Sequence, residues 1–439
     1  MEDNKNQSNT DFMKETIKQR PLNRRKLVRR TIITAAMAVI FGIVACLTFL
    51  LLEPVISNRL YPEEEPQTIV FVEEEEEEIL PEDMIADDSQ MYPSPTLPPV
   101  VLEDEQIEQV LSEMQLGISD YISLSGSLSH LAREIQKSMV TVVGVTSDVD
   151  WFNNEFENEG VVSGVIVADN GKELLVLANI SSLKEVDSLR VKFSDKKEYR
   201  AEIKKKDNNT GLAVLSVGKT FIHNDTLQAV QPVTLGSSAS NTLTGNPIIA
   251  LGSPVGTEGS VCFGNITSTG NSINLADSTY KQITTDIYGS KNASGILVNL
   301  RGQVVGIIDM SYNNQEMGNL LSAIGITELK KTIESLSNDK DIPYLGVHGT
   351  DVTKEASEEL GVPIGAYIKN IDMDSPAMEA GIRSGDVIVR LQEEEVLSYS
   401  DFVSKLLVKE PEETVTVGLM RQAPEGYTEI EITVILGLK

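Results

Sequence analysis

The chain is short of the side chains on which most enzyme chemistry is built. Its 439 residues include three histidines, two cysteines and one tryptophan, and aromatic residues make up 5%. Cys46 lies in an apolar run and Cys262 far downstream, so no disulfide framework can form and the fold must rest on a hydrophobic core. Basic residues are also scarce, 37 against 66 acidic ones, for a formal net charge of −29. That balance excludes a nucleic-acid partner, which needs a basic footprint. No metal or cofactor is expected.

What charge there is sits unevenly. Residues 1–30 hold nine Lys/Arg, and residues 53–110 hold eighteen Asp/Glu and one Arg. Between them, residues 31–52 carry no charge, enough helix to cross a bilayer core of about 30 Å. Arg24, Arg25, Lys26, Arg29 and Arg30 flank this run on one side and Glu53 on the other. The positive-inside rule then puts residues 1–30 in the cytoplasm and 53–439 outside a cell membrane crossed once. A cleaved signal peptide is the alternative, but the apolar run exceeds the usual h-region of about 7–15 residues.

Residues 53–102 contain the glutamate run Glu73–Glu78 and the stretch Tyr92-Pro-Ser-Pro-Thr-Leu-Pro-Pro99, which predict an extended, disordered acidic linker. Residues 103–137 read as helical pieces that pack on the next domain, with Ile107, Val110, Leu111 and Met114, then Leu128, Leu131, Ala132 and Ile135, at helical spacing. From Ser138 the pattern changes to short β-rich runs separated by Gly, Asn, Asp and Ser turns, the pattern of an antiparallel barrel or sandwich. Within it, Asn292-Ala-Ser-Gly-Ile-Leu-Val-Asn-Leu-Arg-Gly-Gln-Val-Val-Gly-Ile307 predicts a polar loop followed by a hairpin closed at Arg301-Gly302. A closing helix is expected over Thr327–Leu336. Residues 341–437 form a further β-rich unit containing Ser375-Pro-Ala-Met-Glu-Ala-Gly381 and Gly385-Asp-Val-Ile-Val389.

These motifs carry a resemblance. Lys291-Asn-Ala-Ser-Gly-Ile-Leu-Val-Asn299 resembles the nucleophile loop of the HtrA/DegP group of trypsin-like serine proteases, which reads Gly-Asn-Ser-Gly-Gly-Pro-Leu-Val-Asn. Ser163-Gly-Val-Ile166 and the segment 250–256 match further family motifs, and residues 341–437 look like the PDZ domain that follows in that family. The resemblance implies a mainly β chain: a chymotrypsin/trypsin-like double β-barrel over 138–337 and a PDZ domain, preceded by one transmembrane helix and the linker.

The same motifs place the catalytic positions. The family's histidine strand falls on Val176-Leu-Ala-Asn-Ile-Ser-Ser182, which puts Ser181 at the histidine position. Thr210-Gly-Leu-Ala-Val-Leu215 puts Gly211 at the aspartate position. The nucleophile loop is one residue short, so either Ala293 or Ser294 stands at the serine position. A serine hydroxyl needs an adjacent base, held in turn by a third group, and neither is in place. His130, His223 and His348 all lie elsewhere in the sequence, and Lys291 sits on a polar turn.

The resemblance therefore implies a degenerate member: a membrane-anchored, catalytically inactive scaffold, sensor or regulator in envelope protein quality control. The alternative is a serine endopeptidase using Ser294 with an unconventional base. Tyr344, Leu345, Gly346 and Val347 match the family's carboxylate-binding loop, implying capture of C-terminal peptides or unfolded envelope proteins by the PDZ domain. The family also implies a homotrimer, with Trp151 and Phe152 as contact residues or as a lid over the local core.

Overall fold

The computed structural model describes residues 29, 32–48, 66–71, 117–149, 155–183, 186–240, 242–424 and 426–438. The chain divides into two units, residues 1–65 and 66–439. In the first, residues 32–48 are helical and their side chains are exposed. Among the described residues no helix is both long and apolar enough to cross a membrane. Residues 31 and 49–52 of the apolar run lie outside the described residues, as do Trp151 and Phe152, residues 103–116 and most of the expected linker.

The second unit opens with helix α1 (Ile118–Gln136), whose last turns bury Ala132 and Ile135 while Ile118, Tyr121 and Ile122 stay exposed. Six strands follow: β1 (Met139–Val149), β2 (Glu155–Asp169), β3 (Glu173–Asn179), β4 (Ser188–Lys192), β5 (Glu198–Lys206) and β6 (Leu212–Gly218). They close into an antiparallel barrel in the order β1-β2-β3-β6-β5-β4, with β4 paired back on β1. The short helix α2 (Asn224–Ala229) and strand β7 (Thr234–Leu235) lead into a second ring. Its strands are β8 (Pro247–Ser253), β9 (Ser260–Leu275), β10 (Ser278–Tyr288), β11 (Ser294–Val298), β12 (Gln303–Ile308) and β13 (Leu320–Gly325). The order β11-β8-β9-β10-β13-β12 is closed by pairing of β11 with β12, making a second six-stranded barrel, with β7 added in parallel to β12.

The uninterrupted apolar runs in β3, β6, β8 and β11 have a simple cause: both faces of these strands are covered. Side chains alternate along a strand. Leu174, Val176 and Ala178 of β3 therefore fill the first barrel, and Leu175 and Leu177 point outward. Likewise Ile248, Ala250 and Leu297 fill the second barrel, while Ile249, Leu251 and Ile296 point outward. The outward sets meet in one shared core between the barrels. Helix α3 (Ile326–Ser337) seals it with Ile326, Leu329, Ile333 and Leu336 at helical spacing.

Six residues of the expected linker depart from that reading. In residues 66–71, Ile69 and Phe71 pack on the shared core. The Ile69 N–H donates to Asn338 Oδ1 at 2.9 Å, and Asn338 Nδ2 donates back to the Ile69 carbonyl at 2.7 Å. Gln67 N–H reaches the Asn170 carbonyl at 2.9 Å. The reason is compositional: this stretch is uncharged, β-branched and aromatic, and it lies between two glutamate clusters.

The hairpin at the nucleophile loop is also corrected. Its connection is not a two-residue turn but spans residues 299–302. Asn299 Oδ1 accepts N–H bonds from Arg301 and Gln303 at 2.9 and 3.0 Å and so organises the longer loop.

The C-terminal part carries strands β14 (Pro343–Tyr344), β15 (Val347–Asp351), β16 (Ala366–Ile371), β17 (Val387–Leu391), β18 (Glu394–Glu395), β19 (Thr414–Ala423), β20 (Gly426–Ile435) and β21 (Gly437–Leu438). Between them lie α4 (Lys354–Leu360), α5 (Pro376–Ala380) and α6 (Tyr399–Leu406). The main sheet runs β15-β16-β17-β19-β20, so β15 is an edge strand. Helix α6 buries Tyr399, Phe402 and Leu406 against Leu345, Ile368, Ile388 and Leu419.

Candidate functional site

Ser294 does not sit on a free loop. It is the first residue of β11, paired with Ser253 of β8. Its Oγ accepts the N–H of Ser163 from β2 at 3.0 Å and so ties the second barrel to the first. The preceding turn uses its own amides: Ala293 N–H donates to the Ser290 carbonyl at 2.9 Å and Asn292 N–H to Ser290 Oγ at 3.3 Å. An oxyanion hole needs such amides free and convergent on one point. Ala293 packs against the inside of the second barrel. The cleft beside Ser294 is narrow and mainly apolar, lined by Val165, Leu177, Ile296 and Ile307.

Ser181 and Gly211 are brought together, as expected of a base and its orienting acid, but one fills the other's space. Gly211 has φ +73°, and a Cβ added there would lie 1.6 Å from Ser181 Oγ. The neighbouring Asn179 accepts the Ser181 N–H at 3.0 Å and donates to Asp309 Oδ2 at 2.8 Å. Asp309 is buried and also accepts the N–H and hydroxyl of Ser311 at 2.8 and 2.6 Å. Burial, with Asp309 and Asp207 nearby, pushes the Tyr312 phenol up to about 12. Asp309 is thus engaged by Asn179 and Ser311.

The histidines stand apart. His130 is exposed on α1, His223 precedes α2, and His348 Nε2 pairs with Asp372 Oδ1 at 2.7 Å in the C-terminal part. Lys291 is exposed on the turn. Among the described residues no group of three or more His, Cys, Asp or Glu could hold a metal ion.

The second candidate site is better formed than the first. Gly346 has φ +88°, and a Cβ there would lie 2.3 Å from Ser375 Cβ, so only glycine lets the backbone turn in this place. The turn makes the amides of Leu345, Gly346 and Val347 converge. They do not face solvent. Leu345 and Gly346 N–H donate to Asp277 Oδ2 at 2.7 and 2.6 Å, and Val347 N–H to Asp277 Oδ1 at 3.0 Å. Tyr344 belongs to the site through its side chain: its hydroxyl donates to Asp372 Oδ2 at 2.7 Å. Burial, followed by the contact with Asp372, pushes that phenol up.

Asp277 is the residue that sequence reasoning missed. It lies at the tip of the β9–β10 hairpin, 2% exposed, in left-handed backbone with φ +52°. The signal available was a short Ala276-Asp277 turn between alternating runs, obscured by the many Ser, Thr and Asn of β9.

Comparison with known proteins agrees with this geometry. Residues 162–307 match the trypsin-like peptidase domain and residues 343–434 the PDZ domain. The chain is 27% identical over 311 residues to Serine protease Do-like HtrB of Bacillus subtilis (strain 168), covering 64% of this chain and 66% of that protein. It is 31% identical over 234 residues to a probable periplasmic serine endoprotease DegP-like of Marinomonas sp. (strain MWYL1), covering 52% of this chain and 47% of that one. Among solved structures, the HtrA-type protease AlgW with decapeptide shares the fold at a TM-score of 0.53 and 22% identity, covering 71% of this chain and 98% of that one. The two matched domains, in this order and on these two barrels, place the chain in the HtrA/DegP-like family of trypsin-fold proteins with a C-terminal PDZ domain.

Proposed function

We propose that the chain is a catalytically inactive, membrane-anchored member of its family, which works by binding rather than by cleaving. The observation that carries this reading is the pairing of Ser181 with Gly211. Where a base and its orienting acid would stand there is a hydroxyl packed into the space of a missing side chain. Acyl transfer by serine requires proton removal as the oxygen attacks. Ser294 Oγ is engaged as an acceptor by Ser163 N–H, and the amides of Asn292 and Ala293 are used within their own turn.

Binding falls to the PDZ domain. Its three converging amides form a nest for a carboxylate, and β15 is an edge strand that can receive an extended peptide. The ligand class is the C-terminus of unfolded or misassembled envelope proteins, and the role that of scaffold, sensor or regulator in their quality control. The uncharged run over 31–52, with its basic flank, supports an anchor with the domains outside the membrane. Digestion of unfolded casein tests the inactive reading. No cleavage above that of Ser294→Ala is expected, whereas cleavage abolished by that substitution establishes the endopeptidase with an unconventional base.

A further inference from the structure

The carboxylate nest of the PDZ domain is already filled by a carboxylate of the same chain. A peptide C-terminus in such a nest presents two features together: a carboxylate to the loop amides, and the N–H of its last residue to the adjoining strand edge. Asp277 presents both. Its side chain takes the N–H groups of Leu345, Gly346 and Val347, and its own backbone N–H donates to the Val347 carbonyl at 2.9 Å. Tyr399 of α6 closes the arrangement, its hydroxyl lying 2.9 Å from the Leu275 carbonyl and 2.8 Å from that of Val347. The hairpin tip is thereby seated between the free edge of β15 and α6, where an added strand would lie.

We infer that Asp277 is an internal ligand of the PDZ domain, so that docking of the β9–β10 hairpin and capture of an external C-terminus exclude one another. This rests on the reading of the PDZ domain as a C-terminus binder. The contact is too well matched for simple domain packing. Three charge-assisted hydrogen bonds converge on one buried carboxylate, at a loop whose turn only glycine can make. A site competent only when the hairpin is out binds its ligand more weakly in proportion to the fraction of time it is open. Ligand capture would in turn release the hairpin and loosen the PDZ domain from the second barrel, converting occupancy into a change of domain arrangement.

The test uses the full chain in detergent micelles, as wild type, Asp277→Asn and Asp277→Ala. Asparagine tolerates the left-handed backbone of the tip while removing the charge and one acceptor oxygen, so it guards against loss of the hairpin itself. Two readouts are taken. Hydrogen exchange is measured over residues 343–348, with β19 and β20 as the internal reference. Retention is measured for decapeptides randomised at their last four positions, with free carboxylates, against the same mixture as C-terminal amides. In both variants exchange over 345–347 is expected to rise at least about tenfold over wild type, equivalent to about 1.4 kcal/mol. Carboxylate peptides are expected to be retained about tenfold better by the variants, and amides not at all. Unchanged exchange at 345–347 in both variants overturns the inference, whatever the peptides do. Faster exchange there with the reference unchanged supports it. If no peptide is then retained, self-occupation stands and the C-terminus reading is what fails.

Discussion

Ser181 and Gly211 compete for one space, the Ser181 hydroxyl lying 1.6 Å from where a Gly211 side chain would begin. Gly211→Ala is expected to lower stability by roughly 1–3 kcal/mol, from left-handed backbone and overlap combined. In the Ser181→Gly background the overlap disappears and the cost should shrink measurably. A double-mutant cycle by urea unfolding reads this coupling directly. Equal cost in both backgrounds contradicts the shared-space account.

The PDZ domain holds an ion pair whose carboxylate is buried and whose guanidinium is partly exposed. Asp386 is 1% exposed and accepts Arg421 Nε and Nη2 at 2.7 Å each, together with the Arg383 N–H at 2.8 Å. Asp386, first through its hydrogen bond, holds the Arg421 guanidinium above its ordinary value. Arg421→Ala leaves a buried carboxylate without its counterion and should cost about 3–5 kcal/mol. Thermal unfolding of the variant checks this, and a loss under about 1 kcal/mol would place the pair among weak surface bridges.

Glu328, in the first turn of α3, gives a pH signature. Burial holds its carboxyl above the ordinary 4.5, with Lys281 opposing, and Oε2 has no hydrogen-bond partner among the described residues. The folded state thus binds this proton more tightly than the unfolded chain. The resulting stability is fully present below the unfolded value and is lost as pH rises through the raised folded one. Glu328→Gln should therefore stabilise the protein at pH 7 relative to wild type. That advantage should shrink as pH falls through the raised folded value and be gone below about 4.5. Chemical unfolding at both pH values decides it, and an advantage that grows on acidification contradicts the assignment.

Residues 66–71 are held by Asn338 at both the amide and the carbonyl of Ile69. Asn338→Ala should free this stretch with little effect on the barrels, at a local cost of roughly 1–2 kcal/mol for two hydrogen bonds. The readout is faster limited proteolysis between the two glutamate clusters. Unchanged cleavage there would mean that packing of Ile69 and Phe71, with the Gln67 and Phe71 amide bonds, holds the stretch without Asn338.

The double barrel and the PDZ domain were legible because their buried strands are written in continuous apolar runs. Val176, Leu215 and Leu297 announce themselves, and the motif positions Ser181 and Gly211 lie side by side. Strands β5, β9 and β10 were not legible. In β9 only Ile266 and Ile273 among the hydrophobic residues are buried, and β5 is largely charged, so period-two patterning is faint. The tip that carries Asp277 was hidden with them. Its role depends on a contact between residues some seventy positions apart, which no local pattern encodes. The docking of Ile69 is of the same kind.

The central claim is that Ser294 is not a nucleophile. Intact-mass measurement of the full chain after treatment with a fluorophosphonate probe tests it most directly, since the reagent reacts with activated serines irrespective of substrate. The expected result is an unmodified mass over hours, identical to that of Ser294→Ala. Stoichiometric modification that disappears in Ser294→Ala would contradict the account and require a base within hydrogen-bond reach of that hydroxyl, about 3 Å.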